Sequence, residues 1–131
     1  LYARTFQALA EDRGPLVVHC AAGKDRTGIL CGLIHVALGA AEEQVLEDYL
    51  LTNAVAQIDA RLPMMVQMVA ENFGRAVAPE ALRPMMGVAD HFLAEAWAEM
   101  DARDGSVQGY LERLGVDAAM MRALRARLIA A

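Results

Sequence analysis

With 131 residues, 56% of them hydrophobic, the chain is long enough to bury one core and too short for several. A net charge of −5 and scattered basic residues argue against non-specific nucleic-acid binding or a polybasic membrane contact, so no nucleic-acid partner is expected. The longest apolar stretch, residues 28–41, is too short to cross a bilayer, so no membrane span is expected.

Residues 1–9 have the spacing of an amphipathic helix. Leu16, Val17 and Val18 then suit a short buried strand. Residues 19–28 form a tight loop, and 27–38 have the apolar density of a buried helix that ends at Gly39, a suitable left-handed cap. Further helices are predicted over 42–51, 54–72, 79–86, 88–103, 107–114 and 117–129. Gly74, Gly87, Gly105 and Gly115 punctuate them, and Ser106 and Asp117 are natural N-caps. Pro63 should kink or divide the long fourth segment. No internal repeat or low-complexity tract appears.

The loop carries the chemistry. It reads His19, Cys20, Ala21, Ala22, Gly23, Lys24, Asp25, Arg26, Thr27, Gly28: a cysteine and an arginine enclosing small or turn-forming residues, between strand and helix. Such an arrangement aims several backbone N–H groups at one anion. A thiol attacks phosphorus only as thiolate, and an ordinary cysteine is mostly protonated at neutral pH. The loop amides, the start of the helix, the Arg26 guanidinium and the Thr27 hydroxyl would all hold a negative charge on Cys20. The same donors then suit a phosphoryl group: the Arg26 fork takes two oxygens, and the amides of Ala21, Ala22, Gly23, Lys24, Asp25 and Arg26 take the equatorial ones. His19 can fix the loop through its carbonyls. This chemistry needs no cofactor and no metal.

Two loop residues stay ambiguous. Lys24 is the only lysine among twelve basic residues, either by chance or because a compact ammonium suits a second phosphate or the loop geometry. Asp25 is either the general acid for the leaving oxygen or a structural residue that orients Lys24 or Arg26. Glu11 and Asp12 lie at the far end of the strand, roughly 13 Å or more from Cys20 at ~3.3 Å per residue, and are rejected as the acid. Asp48 and Asp59 read as exposed helical carboxylates.

The string from His19 to Gly28 resembles the signature of cysteine-dependent protein tyrosine and dual-specificity phosphatases, and its Lys-Asp-Arg variant resembles their atypical bacterial branch. The segments 47–53 and 105–111 are similar to stretches that follow the loop in that branch. The resemblance implies Cys20 as nucleophile, Arg26 as phosphate binder, Thr27 as a helper of thiolate turnover, and a phosphorylated protein or phosphoinositide as substrate. It also implies an α/β fold, a phosphatase-type central sheet flanked by helices. A lone strand cannot satisfy its own backbone, so the remaining strands are expected from an N-terminal half of the same domain outside this sequence, the alternative being a self-sufficient helical domain with one isolated extended segment. Residues 1–131 would then be the C-terminal part of one phosphatase domain, cytoplasmic, or secreted if a preceding segment carries a signal.

Two families of side chains flank this reading. Met64, Met65, Met68, Met85 and Met86 make a methionine-rich zone, either ordinary core or, over 54–86, a lid above the site. Arg61, Arg75 and Arg83 flank it as solvated charges or as further phosphate contacts. Cys31 should lie on the order of 10 Å or more from Cys20, too far to bridge, and reads as buried core, leaving Cys20 as the reactive thiol. His35 and His91 lack a second imidazole at ligand spacing and read as structural. Two competitors to a phosphatase remain: a phosphate-binding pseudophosphatase, and an arsenate reductase or sulfurtransferase.

Overall fold

The computed structural model describes residues 2–12 and 14–129. Eight helices occur among them: α1 (Tyr2–Ala10), α2 (Asp25–Leu38), α3 (Glu42–Val55), α4 (Ile58–Phe73), α5 (Pro79–Met86), α6 (Asp90–Asp104), α7 (Val107–Arg113) and α8 (Ala118–Leu128). The expected start of the first helix, Leu1, lies outside the described residues. The other helices match the predicted segments, with shifted ends. Ser106 and Asp117 cap α7 and α8, accepting the amides of Gly109 at 2.9 Å and Met120 at 2.8 Å. Gly39, at φ 90°, ends α2.

The largest correction concerns the sheet. No strand occurs among the described residues, which form an all-helical body rather than the expected α/β fold with a phosphatase-type central sheet. Residues 16–18 lie outside every helix and strand, with Val17 89% exposed and Leu16 40%. A strand is made by hydrogen bonds to a neighbour; β-branched composition favours extended backbone but supplies no partner. Of the two effects expected of Pro63, division of the segment at that residue does not occur. The proline lies inside α4 without dividing it, because near a helix start a proline forgoes a single bond to the Asp59 carbonyl. The division falls instead at Ala56 and Gln57, the latter left-handed at φ 49°.

α2 is apolar around most of its circumference, as suits a helix covered on several sides, and it packs on α3, α7 and α8. Around it the main core gathers Phe6, Leu30, Leu33, Ala37, Met100, Leu111, Val116 and Leu124. Burying each large side chain contributes about 1.5–3 kcal/mol, so this cluster holds α2 firmly at the centre. A second cluster of Val45, Tyr49, Val88 and Leu93 joins α3 to α6, and Val36 and Trp97 pack against both clusters. α4 and α5 pack chiefly on each other, burying Leu62 and Leu82 between them. The start of α2 is thus rigidly seated, while the α4 and α5 pair is attached mainly through its two ends.

Candidate active site

The site is built at the start of α2. Helix α2 begins at Asp25, and its N-cap, Lys24, makes no side-chain bond to the first-turn amides. Those amides need acceptors. Cys20 supplies one: its sulfur accepts from the Thr27 hydroxyl and from the amides of Thr27, Gly23 and Ala22. The cysteine therefore takes the place of an N-cap side chain, bonding the third amide of the helix as an Asp or Ser would. These bonds, the Thr27 hydroxyl first, pull its thiol from the ordinary 9.0 down to about 6. At neutral pH the sulfur is predominantly thiolate.

The rest of the loop is largely exposed. Gly23 turns the loop at φ 69°. Asp25 and Arg26 are exposed in the first turn of α2, and His19 is exposed at the entry to the loop. The Arg26 carbonyl accepts a hydrogen bond from the Tyr2 hydroxyl at 2.9 Å. Tyr2 is pushed above its ordinary value by burial and then by Tyr110, with the charge on Cys20 adding and Arg26 opposing, so its phenol feels both the thiolate and the guanidinium. The Lys24 ammonium donates to the Gly87 carbonyl at 2.8 Å and stands 3.4 Å from Asp25 Oδ1. Tyr49 lies so close to Gly28 that a Cβ there would come 2.6 Å from its ring, so only glycine fits this turn of α2 beneath the loop.

Beside the loop opens a cavity of about 660 Å³. Ala21, Ala22, Gly23 and Lys24 form one wall; Thr52, Val55 and Ala56 at the end of α3 form another; Met64, Met65, Met68, Met85 and Met86 form the third. The methionine zone is therefore cavity wall, with Met64 and Met85 about 70% exposed, rather than ordinary core. Arg61 shares the lining. Arg83 pairs instead with Asp59, and Arg75 is exposed.

Of the remaining candidates, Cys31 is half-buried rather than fully buried, and neither cysteine is in a disulfide. Burial, with the Asp48 charge second, raises the Cys31 thiol, so the two cysteines are driven in opposite directions. His35 faces Asp48 at 3.8 Å, and His91 stands against Asp90 and the edge of Phe92. Tyr2, Tyr49, Asn53 and Gly87 were not singled out by sequence reasoning as site residues. Each reaches the loop or its neighbours over a long sequence separation; the sequence signals that touch them are the resemblance of segment 47–53, which holds Tyr49 and Asn53, and the glycines at 28 and 87.

Known proteins of similar sequence identify the family to which the chain belongs. Residues 1–130 match the tyrosine phosphatase family. The chain is 34% identical to the triple specificity protein phosphatase PtpB of Mycobacterium tuberculosis, over 96% of this chain and 48% of that protein. It is 36% identical to a putative tyrosine-protein phosphatase of Cupriavidus necator, over 89% of this chain and 41% of that one. A tyrosine-protein phosphatase of Nostoc commune is 28% identical over 97% of this chain and 44% of its own length. The chain thus spans somewhat less than half the length of these curated relatives.

Proposed function

The chain belongs to the tyrosine phosphatase family, and from that premise we propose that it hydrolyses phosphomonoesters, phosphotyrosine foremost, through a cysteinyl-phosphate intermediate on Cys20. One observation carries the reading: a cysteine whose thiol is drawn down to about 6 by a hydroxyl and three amides at the start of a helix. That set of donors suits a nucleophile and an anion equally.

In the first step the Cys20 thiolate attacks phosphorus, the S–P bond forming as the ester P–O bond breaks. The loop amides and the Arg26 guanidinium hold the equatorial oxygens, and the leaving oxygen departs with a proton from a general acid. Water then attacks phosphorus, the S–P bond breaks, inorganic phosphate leaves and the thiolate returns. The Thr27 hydroxyl stabilises the departing sulfur by the same bond that lowers its pKa. Asp25 is the loop's own carboxylate and a candidate for the acid, although its place beside Lys24 also suits an orienting role.

The methionine-walled cavity is where the rest of the substrate would lie, since flat apolar walls suit an aryl ring. The α4 and α5 pair, packed chiefly on itself, would act as the cover of that cavity, set over residues 54–86. The mycobacterial relative is named a triple specificity protein phosphatase, so phosphoserine or phosphothreonine and phosphoinositide belong in the test panel beside phosphotyrosine. Among the described residues no helix is long and apolar enough to cross a membrane, which bears on no choice between these substrates.

The test is hydrolysis of an aryl phosphate by the protein and by Cys20→Ser in reducing buffer. Release of phosphate that disappears in the variant supports the mechanism. Binding of inorganic phosphate with no turnover in either protein would favour a pseudophosphatase, and turnover of arsenate or thiosulfate would favour the other cysteine-loop chemistries.

A further inference from the structure

The α5 to α6 junction is tied to distant parts of the molecule at two consecutive residues. Asn53, near the end of α3, donates its amide to the Val88 carbonyl at 2.9 Å and accepts the Val88 N–H at 2.9 Å. One side chain thus satisfies both backbone groups of one residue, as a neighbouring strand would. At the residue before it, the Gly87 carbonyl accepts from the Lys24 ammonium at 2.8 Å.

Gly87 is informative because its backbone does not require glycine. At φ −100° and ψ −171° it lies in extended space open to any residue. A Cβ on it, however, would come 2.7 Å from Asn53 Oδ1. The Asn53 amide occupies the space where a side chain would stand. The chain therefore presents a clasp in which Asn53 fixes Val88, the bare Gly87 lets it approach, and the Gly87 carbonyl fixes Lys24. The Lys24 side chain is only 14% exposed, yet it lines the cavity beside the loop. Of the three ammonium donors, one is given to Gly87 and one points towards Asp25, which leaves one for a ligand.

We propose that Asn53 is a positioning residue for substrate, which through Val88 and the Gly87 carbonyl holds the Lys24 ammonium ready for a second anionic group beside the phosphoryl being transferred. The inference rests on the phosphatase reading of the loop. An ammonium already held in place loses little freedom on binding, so the clasp lowers KM for substrates that carry such a neighbour. A substrate without one gains nothing from it.

The experiment compares two phosphotyrosine peptides, one with aspartate beside the phosphotyrosine and one with alanine, on the protein, Asn53→Ala, Gly87→Ala, Lys24→Met and the Asn53→Ala, Lys24→Met double variant. Asn53→Ala and Gly87→Ala should each raise KM for the acidic peptide by about fivefold, the scale of one hydrogen bond, with kcat little changed. KM for the alanine peptide should hardly move. In the Lys24→Met background Asn53→Ala should add nothing, because the two act as one unit. Equal losses on both peptides, or additive effects in the double variant, overturn the proposal. If Asn53→Ala does not fold, Gly87→Ala reads the same contact.

A second measurement separates this inference from the reading beneath it. Lys24 is the only lysine in the sequence, so its rate of acylation by acetic anhydride, located by peptide mapping, reports the clasp without any turnover. Asn53→Ala or Gly87→Ala should raise that rate severalfold while Cys31 alkylation stays slow. An unchanged Lys24 rate sinks the clasp even in an active enzyme, whereas a raised rate in a protein without activity sinks only the phosphatase reading.

Discussion

The Tyr2 hydroxyl of α1 donates to the carbonyl of Arg26 at 2.9 Å, so the first helix of the described chain is fastened to the first turn of α2. The bond fixes the backbone of Arg26 and leaves its guanidinium free. Phe6, four residues along α1, is fully buried against α2 in the main core, so the hydroxyl is aimed from a rigid base.

Tyr2→Phe removes that bond while keeping the ring. The expected loss is about 1 kcal/mol of stability, typical of one hydrogen bond. Thermal unfolding should show a drop of several degrees, and phosphate affinity should fall more than the packing change explains. A variant with unchanged affinity would limit Tyr2 to a role in stability alone.

Cys20 should titrate far below Cys31. Because hydrogen bonds to the ionised sulfur depress its pKa to about 6, its alkylation rate by iodoacetamide should rise through a midpoint near that value, whereas Cys31, raised by burial, should react only at high pH. Thr27→Ala removes the largest cause and should move the Cys20 midpoint back towards 9.0. The sign for stability follows. The folded pKa is depressed, so ionisation of Cys20 favours the folded state fully above the unfolded value, and the contribution is lost as pH falls through about 6. Alkylation of each cysteine across pH 5 to 10, resolved by peptide mapping, checks the midpoints, and denaturant unfolding over the same range checks the stability.

The helices were legible because their signals are local. Gly39 ends α2, Ser106 and Asp117 start α7 and α8, and residues 79–86 were bounded by a proline and a glycine that act within one turn. The strand was not, because pairing depends on a partner elsewhere in space and Leu16, Val17 and Val18 have none among the described residues. In the site the same division holds. The bonding of Thr27 to Cys20 could be read from their spacing along one loop, but Tyr2, Tyr49, Asn53 and Gly87 reach the loop or its neighbours only through packing of α1, α3 and the α5 to α6 junction. The methionine zone was legible as composition and ambiguous as geometry. Nothing in the order of residues distinguishes a cavity wall from a core.

Gly28→Ala tests the close approach beneath the loop. Within a helix alanine is better than glycine by about 1 kcal/mol. Here the added methyl would meet the ring of Tyr49, a residue only 5% exposed and packed in the second core cluster, at 2.6 Å. Overpacking of a buried ring costs about 1–3 kcal/mol, so the clash should outweigh the propensity gain and leave a net loss of about 1 kcal/mol. The Cys20 midpoint should rise at the same time, since the start of α2 must shift away from Tyr49. A stabilised variant with an unmoved midpoint would show that the ring swings aside at no cost.

Asp25 can be assigned by changing the leaving group. If its carboxyl protonates the departing oxygen, Asp25→Asn should slow hydrolysis of poor leaving groups, alkyl phosphates and phenols of high pKa, by about 100-fold or more, while aryl phosphates with acidic leaving groups lose far less. If it acts through the ammonium 3.4 Å away, the loss should be similar across leaving groups and appear in KM. The pH profile provides a second reading. Loss of a true acid removes the descending limb of kcat/KM for poor leaving groups and leaves the ascending limb, set by Cys20, in place near pH 6. An orienting role leaves both limbs and lowers the whole curve. A series of substituted phenyl phosphates, run on the protein and on Asp25→Asn across pH, therefore separates proton donation from the positioning of Lys24.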